Sequence, residues 1–445
     1  MVAPHDGAHH RALVEVLQRL NKPEPHPAQV TAKARLLLLD TLGCMLSGRT
    51  ARPVRQFEQQ LATIESGAFR FPEGPSLSCT AAASVAAMAS AWDEGCEGLP
   101  YAHGRPALAL IAALLPVAVQ RQATLDQLLH ALITGYEVGA RAGGWLRIAP
   151  GMHVDGNWPA LGAAAGVACL MGLSPAAQWN AVSIAACQLP ASLYLPIRTG
   201  DDARNTYPAH AAVLGLQSAI ASAAGITAPD QALLDYARDH ARPDGRAAPE
   251  PDRWMLLECY FKPHAGVRHA HYGLEAAMRL RARLGGRSEH ITGAHLRIYP
   301  EASTYAGNRD PQAPITAQFS LSLGVAAGLR FGAMDPDLFR GGRLQDGELR
   351  RLEKLVTIEP VEAMGAAGRR SAELTVQAGT DSFCEAIDAL DGSPARPMSP
   401  ERVGEKFVRY SAESVGPQRA HQFAAELSGC SGRVGFTQLW QILAA

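Results

Sequence analysis

Apolar residues recur along most of this chain at helical rather than strand spacing, and three short stretches dense in charge interrupt them. From Pro27 to Leu46, the residues Leu36, Leu37, Leu39, Leu42 and Met45 cover more than one face, which predicts a core helix stopped at Gly48. Asp40 lies inside it and is read as structural, a partner for a neighbouring helix end or an arginine. Val85 to Trp92 and Pro106 to Val119 predict two helices rich in Ala and Leu, with Pro106 suited to the first turn of the second. Thr124 and Gln127 form a capping box ahead of Leu128, Leu129, Leu132, Ile133 and Tyr136, with a stop near Gly143 and Gly144. Further Ala-rich helices are expected at 159–171, at 175–188 after Ser174 and Pro175, and at 209–224. Small residues throughout imply helices packed close together.

From 263 the character changes. HAGVRHAHYG precedes a helix expected at 273–284, AHLRIYP alternates as a strand, and ITAQFSLSLGVAAGLRF reads as a helix. KLVTIEP, SAELTVQAG and DSFCEAI read as further strands, and SPERVGEKFVRYSA returns to helix behind Ser399 and Pro400. Strands are predicted only in this region. The expected fold is mainly α, with a large all-helical domain from 1–264 and 396–445 and a smaller α+β domain at 265–395.

Composition narrows the function classes. Of the 445 residues 47% are hydrophobic but only 6% aromatic, which favours close-packed helices over sheets. A net charge of -1 without any Lys/Arg run argues against nucleic-acid or membrane-surface partners. MVAPHDGAHHRALVEV has no secretory pattern, and Pro and Gly break every apolar run that could span a bilayer. Eight scattered cysteines, with no CxxC, predict a reduced, cytoplasmic chain without an iron–sulfur cluster. No HExxH, P-loop or GxGxxG stands in a suitable context, so no metal and no cofactor are expected.

The chemistry falls on the polar stretches. DEGCEGLPYAHGRP places Asp93, Glu94, Cys96, Glu97, Tyr101, His103 and Arg105 between two buried helices, with Gly95, Gly98 and Pro100 preventing any helix there. His103 just outside a helix N-terminus would be kept neutral, available as a base beside a carboxylate ligand; otherwise it is a cap in a surface loop. GMHVDGNWP carries His153 and Asp155, and LPIRTGDDARNTYP carries Arg198, Arg204 and Tyr207. The stretch after 263 adds His264, Arg268, His269 and His271.

Across these segments the chain resembles the MmgE/PrpD family, which includes 2-methylcitrate dehydratases, cis-aconitate decarboxylases and an iminodisuccinate epimerase. The likeness runs through LLLLDTLGCMLSG, AWDE...AHGRPALAL, ALITGYEVGAR, HVDGNWPALGAAA, ARNTYPAHAAVLG, FKPHAGVRHAHYGLEAA, APITAQFSLSLGVA and SPERVGEKF. It implies a helical domain formed by both ends of the chain, a smaller α+β lid domain, an active site between them, a homodimer and no metal requirement. Asp93 and His103 stand where the family has an active-site Asp and His, and His271 matches a histidine after the Lys262–Pro263 element. Arg204 replaces a lysine of several members, which turns a possible acid/base position into a carboxylate clamp. Val267 stands where decarboxylases have a histidine. Gly95 and Cys96 replace an acidic pair, and Glu97 a hydroxyl residue.

Small carboxylate substrates of such enzymes develop enolate-like charge, which calls for fixed cations. Arg105, Arg198, Arg204, Lys262 and Arg268 are the candidates, each also explicable as an ordinary salt bridge. His103 is assigned as the base, with Asp93 orienting it or acting as the acid. His269 and His271 stand second as catalysts, and His153, Tyr207 and Glu97 complete the substrate-binding set. The expected activity is a hydro-lyase (dehydratase) acting on a small hydroxy di- or tricarboxylate. An isomerase or epimerase, a decarboxylase and a non-catalytic carboxylate-binding relative follow in that order.

Overall fold

The computed structural model describes residues 4–240, 242 and 246–444. The chain is mainly α, with small sheets. Its helices include α1 (Ala28–Arg49), α2 (Cys79–Trp92), α3 (Pro106–Gln120), α4 (Leu125–Trp145), α5 (Pro159–Leu170) and α6 (Tyr207–Ala223). These share one hydrophobic core, to which α9 (Pro400–Val415) returns from the far end of the chain. Lys406 of α9 meets Asp40 of α1 at 2.6 Å in a fully buried ion pair and also donates to the Gly95 carbonyl at 2.8 Å.

α1 ends at Arg49, one residue past the expected stop at Gly48. A side chain there would collide with the Ala89 carbonyl of α2, so glycine marks a close helix crossing inside α1. α4 ends at Trp145, next to Gly144 as the pattern predicts, and Gly144 also leaves room for the Tyr101 ring. Each glycine thus stands within one residue of a helix end and meets a contact requirement as well. The capping box of Thr124 and Gln127 starts α4 as the pattern predicts.

A second core gathers side chains between Ala265 and Leu390, with Ile197 joining from earlier in the chain. It contains a four-stranded sheet: β1 (Ile291–Ile298), β2 (Val356–Pro360), β3 (Ala372–Ala378) and β4 (Asp381–Ile387). The order is β2-β1-β3-β4, with β1 and β2 parallel and the other pairs antiparallel. Leu296, flanked by Ile358 and Leu374, is fully buried under α7 (Arg268–Arg283) and α8 (Leu321–Phe331). The apolar run before Arg330 is not one helix: it breaks at Phe319 and Ser320, and Ser320 caps α8.

Strands are not confined to this region. Met152–His153 pairs with Ser192–Leu193, and Phe69–Arg70 with Ser76–Leu77. Among the described residues no helix is long and apolar enough to cross a membrane.

Candidate functional site

The loop from Asp93 to Arg105 is held at several points. Gly98 and Tyr260 exchange backbone hydrogen bonds at 3.2 and 2.9 Å, and the Leu99 amide donates to the Gly104 carbonyl at 2.9 Å. The Gly266 amide donates to the Asp93 carbonyl at 3.0 Å, which ties the loop to the second core. Two side chains ride on left-handed backbone, Glu94 at φ 54° and His103 at φ 50°. For residues with a side chain this conformation costs on the order of 1 kcal/mol or more and concentrates at functional sites.

Both residues face a cavity of about 300 Å³ between the two cores. Glu94 is its electrostatic hub. Its carboxylate accepts from Arg105 at 2.8 Å, pairs closely with Arg204, and lies 3.3 Å from the Lys262 ammonium. Burial would push the Glu94 carboxyl up, but Arg105, Arg204 and Lys262 override it and hold the group well below the usual carboxylate range. Arg105 also pairs with Asp155, whose carboxyl is kept low in the same way despite burial. Burial lowers Lys262, whose ammonium bonds to the Glu94 carbonyl and to the Gly266 carbonyl at 3.3 Å.

Among the described residues the cavity is lined by the basic side chains of Arg105, Arg147, Lys262, Arg268 and Arg370 and by the acidic ones of Glu94, Asp155 and Glu301. Arg268 lies 3.6 Å over the Tyr260 ring, and Arg370 donates to Glu301 at 2.7 Å. Three histidines share the wall. Burial pushes His153 down to about 4 and His269 down to about 3, the latter also repelled by Arg370 and Arg268, so both imidazoles are neutral near pH 7. His153 accepts from the Asp155 amide at Nδ1 (3.2 Å), which leaves its proton on Nε2. His269 Nδ1 lies 2.6 Å from the Tyr299 hydroxyl, which can donate or accept and so set either tautomer. An arc of stacked rings, His153 on Tyr194, Tyr194 against Tyr305, and Tyr305 on His269, spans the gap between the cores.

The cavity thus brings together His103, His269, Arg105, Lys262, Arg268 and His153. Six other candidates lie elsewhere. Asp93 points away from it, accepting from Ser47 at 2.8 Å and pairing with Arg340 of the second core. Arg204 is fully buried behind Glu94, donating to the Ala91 carbonyl at 3.1 Å and the Asn205 side chain at 2.7 Å. His271 bonds the Ala265 carbonyl and lines a separate cavity with His264 and Glu275. The helix expected from 273 starts at Arg268, which sends His269 and His271 to different sides. Arg198 is exposed, and Tyr207 donates to the Leu193 carbonyl behind His153. Glu97 is buried off the cavity, accepts from the Ala107 amide at 2.8 Å, and is pushed up to about 7 by burial. Cys96 is likewise internal, donating to the Ser90 carbonyl at 3.0 Å.

Glu94, Asp155, Tyr194, Glu301, Tyr305 and Arg370 were not predicted as site residues. Glu94 and Asp155 stood in stretches already marked by their charge, whereas Glu301 and Arg370 had no local signal. Val267, in place of a histidine, does line the cavity.

The model of the MmgE/PrpD N-terminal domain matches residues 13–238, and that of the MmgE/PrpD C-terminal domain matches residues 264–428. The chain belongs to the MmgE/PrpD family. No curated protein matches it. MmgE/PrpD membership supports a dehydratase, lyase or related activity in broad terms. Both matched segments contribute to the cavity, the first with Glu94, His103, Arg105, His153 and Asp155, the second with Arg268, His269, Glu301 and Arg370.

Proposed function

We propose that the protein is a hydro-lyase that removes water from a small hydroxy di- or tricarboxylate by abstracting a proton next to a carboxylate, with no metal or cofactor. The observation that carries this reading is the meeting of neutral imidazoles with Lys262, Arg268 and Arg370 in one cavity. Glu94 and Asp155 are poor bases, because their cationic partners hold them ionised. His103 takes the proton; the released electron pair forms the carbon–carbon double bond as the carbon–oxygen bond breaks. The imidazolium formed at His103 hands that same proton to the departing hydroxyl, which leaves as water and restores neutral His103, while His269, with Tyr299 donating to Nδ1, holds the hydroxyl through its Nε2 proton. Arg268 and Arg370 sit where the carboxylates bind, and Lys262 contributes charge from behind Glu94. Residues 265–395 act as a lid over a body formed by 1–264 and 396–445, and closure shields the reacting carbon from water. A cytoplasmic homodimer belongs to the same reading.

One observation favours a second reading. His103 comes from a loop of the first core and His269 from a helix of the second, an arrangement that suits two bases on opposite faces of one carbon, as an isomerase or epimerase of a dicarboxylate requires. Incubation with a panel of di- and tricarboxylates in heavy water, followed by NMR, separates the two. Elimination yields an alkene; epimerisation yields deuterium at a retained carbon. Neither product from any member of the panel would leave only a carboxylate-binding protein.

A further inference from the structure

The wall of the cavity is not uniformly polar. The segment that follows α4 contributes Leu146, Ile148, Ala149, Pro150, Met152 and Val154, with Arg147 its charged exception before the loop reaches His153 and Asp155. A carboxylate without a side group offers such a surface nothing to bury. The apolar character also continues past the mouth. Met152 pairs directly with Leu193 across the short ladder, which puts both side chains on one face, and Leu193 is 51% exposed. Tyr305, which lines the cavity, is 41% exposed, and its carbonyl accepts from the Tyr194 hydroxyl at 3.0 Å. An exposed apolar patch that is continuous with a ligand-sized cavity marks a binding surface, whereas apolar side chains exposed singly carry no such meaning.

We propose that the substrate is a carboxylate bearing an apolar arm, an alkyl or aryl group of several carbons, that lies along Ile148, Met152, Val154, Leu193 and Tyr305 while its acid groups face the cations. This rests on the carboxylate reading above and adds the arm to it. Ile148, Met152, Val154 and Tyr305 line the same cavity as Arg268 and Arg370, and Leu193 adjoins them through its pairing with Met152, so a ligand held by its acid groups has the strip beside it. The occupant is therefore part of the substrate; a second copy of the chain would cover the strip outside but leave the inner apolar wall unfilled.

The test is calorimetric binding of succinate, methylsuccinate, butylsuccinate and hexylsuccinate to the full chain. Each methylene that leaves water is expected to tighten binding roughly threefold to fourfold, so hexylsuccinate should bind at least about 30-fold more tightly than succinate. Met152→Ser and Leu193→Ser should flatten that dependence while succinate itself binds within about twofold of the unaltered protein. A flat series overturns the arm and leaves the carboxylate reading standing; failure of every member to bind overturns both. A slope that survives in both variants also refutes the placement. So does light scattering in which Leu193→Ser dissociates a dimer without changing the slope, since the strip would then belong to a second copy.

Discussion

Glu94→Gln tests whether the cavity is organised by compensated charge. The substitution keeps the shape and one acceptor oxygen but withdraws the negative charge that Arg105, Arg204 and Lys262 share. Losing one partner of a buried ion pair costs about 3–5 kcal/mol, because the other charge stays buried without compensation. Here Asp155 still holds Arg105, and Arg204 keeps its bonds to the Ala91 carbonyl and Asn205, so the low end, ~3 kcal/mol, applies. For a chain of 445 residues the unfolding entropy is about 0.9 kcal/mol per kelvin, which turns that loss into a fall of about 3 °C in Tm. One negative charge is withdrawn from the cavity wall, so saturating succinate should raise the Tm of the variant more than that of the unaltered protein. The sign with pH follows from the depressed carboxyl. Its contribution is full above the ordinary value of 4.5 and is lost as pH falls through the lower folded value, so the gap between the two proteins is complete at pH 7 and closes in acid. Scanning fluorimetry with and without succinate reads all three effects. A variant with the same Tm and the same succinate response would refute the idea that Glu94 compensates the cations, and loss of turnover at unchanged Tm would recast it as the base.

Further outcomes follow from the same geometry. His103→Asn, a residue that tolerates the left-handed backbone there, should lower turnover by roughly 10²-fold or more while succinate still binds; retained turnover would remove His103 as the base. His153 and His269 are held below 6.5 in the folded chain, so each contributes stability that is full above pH 6.5 and declines in acid, down to about pH 4 for His153 and about pH 3 for His269. His269→Phe, which keeps the stacking on Tyr305, should therefore flatten the stability profile between pH 6 and 4 by about 1.4 kcal/mol per pH unit, measured by urea unfolding. Asp93→Asn should release Arg340 and speed hydrogen exchange around 336–346, with turnover falling far less than in His103→Asn. Gly48→Ala should destabilise by about 1–3 kcal/mol or more in the same unfolding assay, because its methyl group meets the Ala89 backbone rather than a movable side chain.

The helical frame was legible because its signals are local. Capping residues at Thr124, Ser174 and Ser399 bond the amides that the sequence predicts, and Pro106 opens its helix. The site was legible only as a set of loops, and its membership turns on geometry that residue types do not carry. Asp93 and Glu94 are adjacent acids, yet the left-handed backbone at Glu94 turns one toward Arg340 and the other toward the cavity. His269 and His271 are both close to Lys262, but with the helix beginning at Arg268 they lie about 200° apart around its axis, and only the first reaches the cavity. Arg204 has the right chemistry for a clamp, but its charge is already taken by Glu94 and the Asn205 side chain. Glu301 and Arg370 approach from segments 69 residues apart in sequence and meet only because β1 and β3 are neighbours, a pairing that no stretch of either segment encodes. What decides the chemistry is therefore the order in which buried charges satisfy one another. A cation counts toward the substrate only after the acids around it have been matched, and by that measure Arg268, stacked on Tyr260 with no acid paired to it among the described residues, is the group that a carboxylate would meet first, ahead of Arg370 beside Glu301 and of the fully enclosed Arg204.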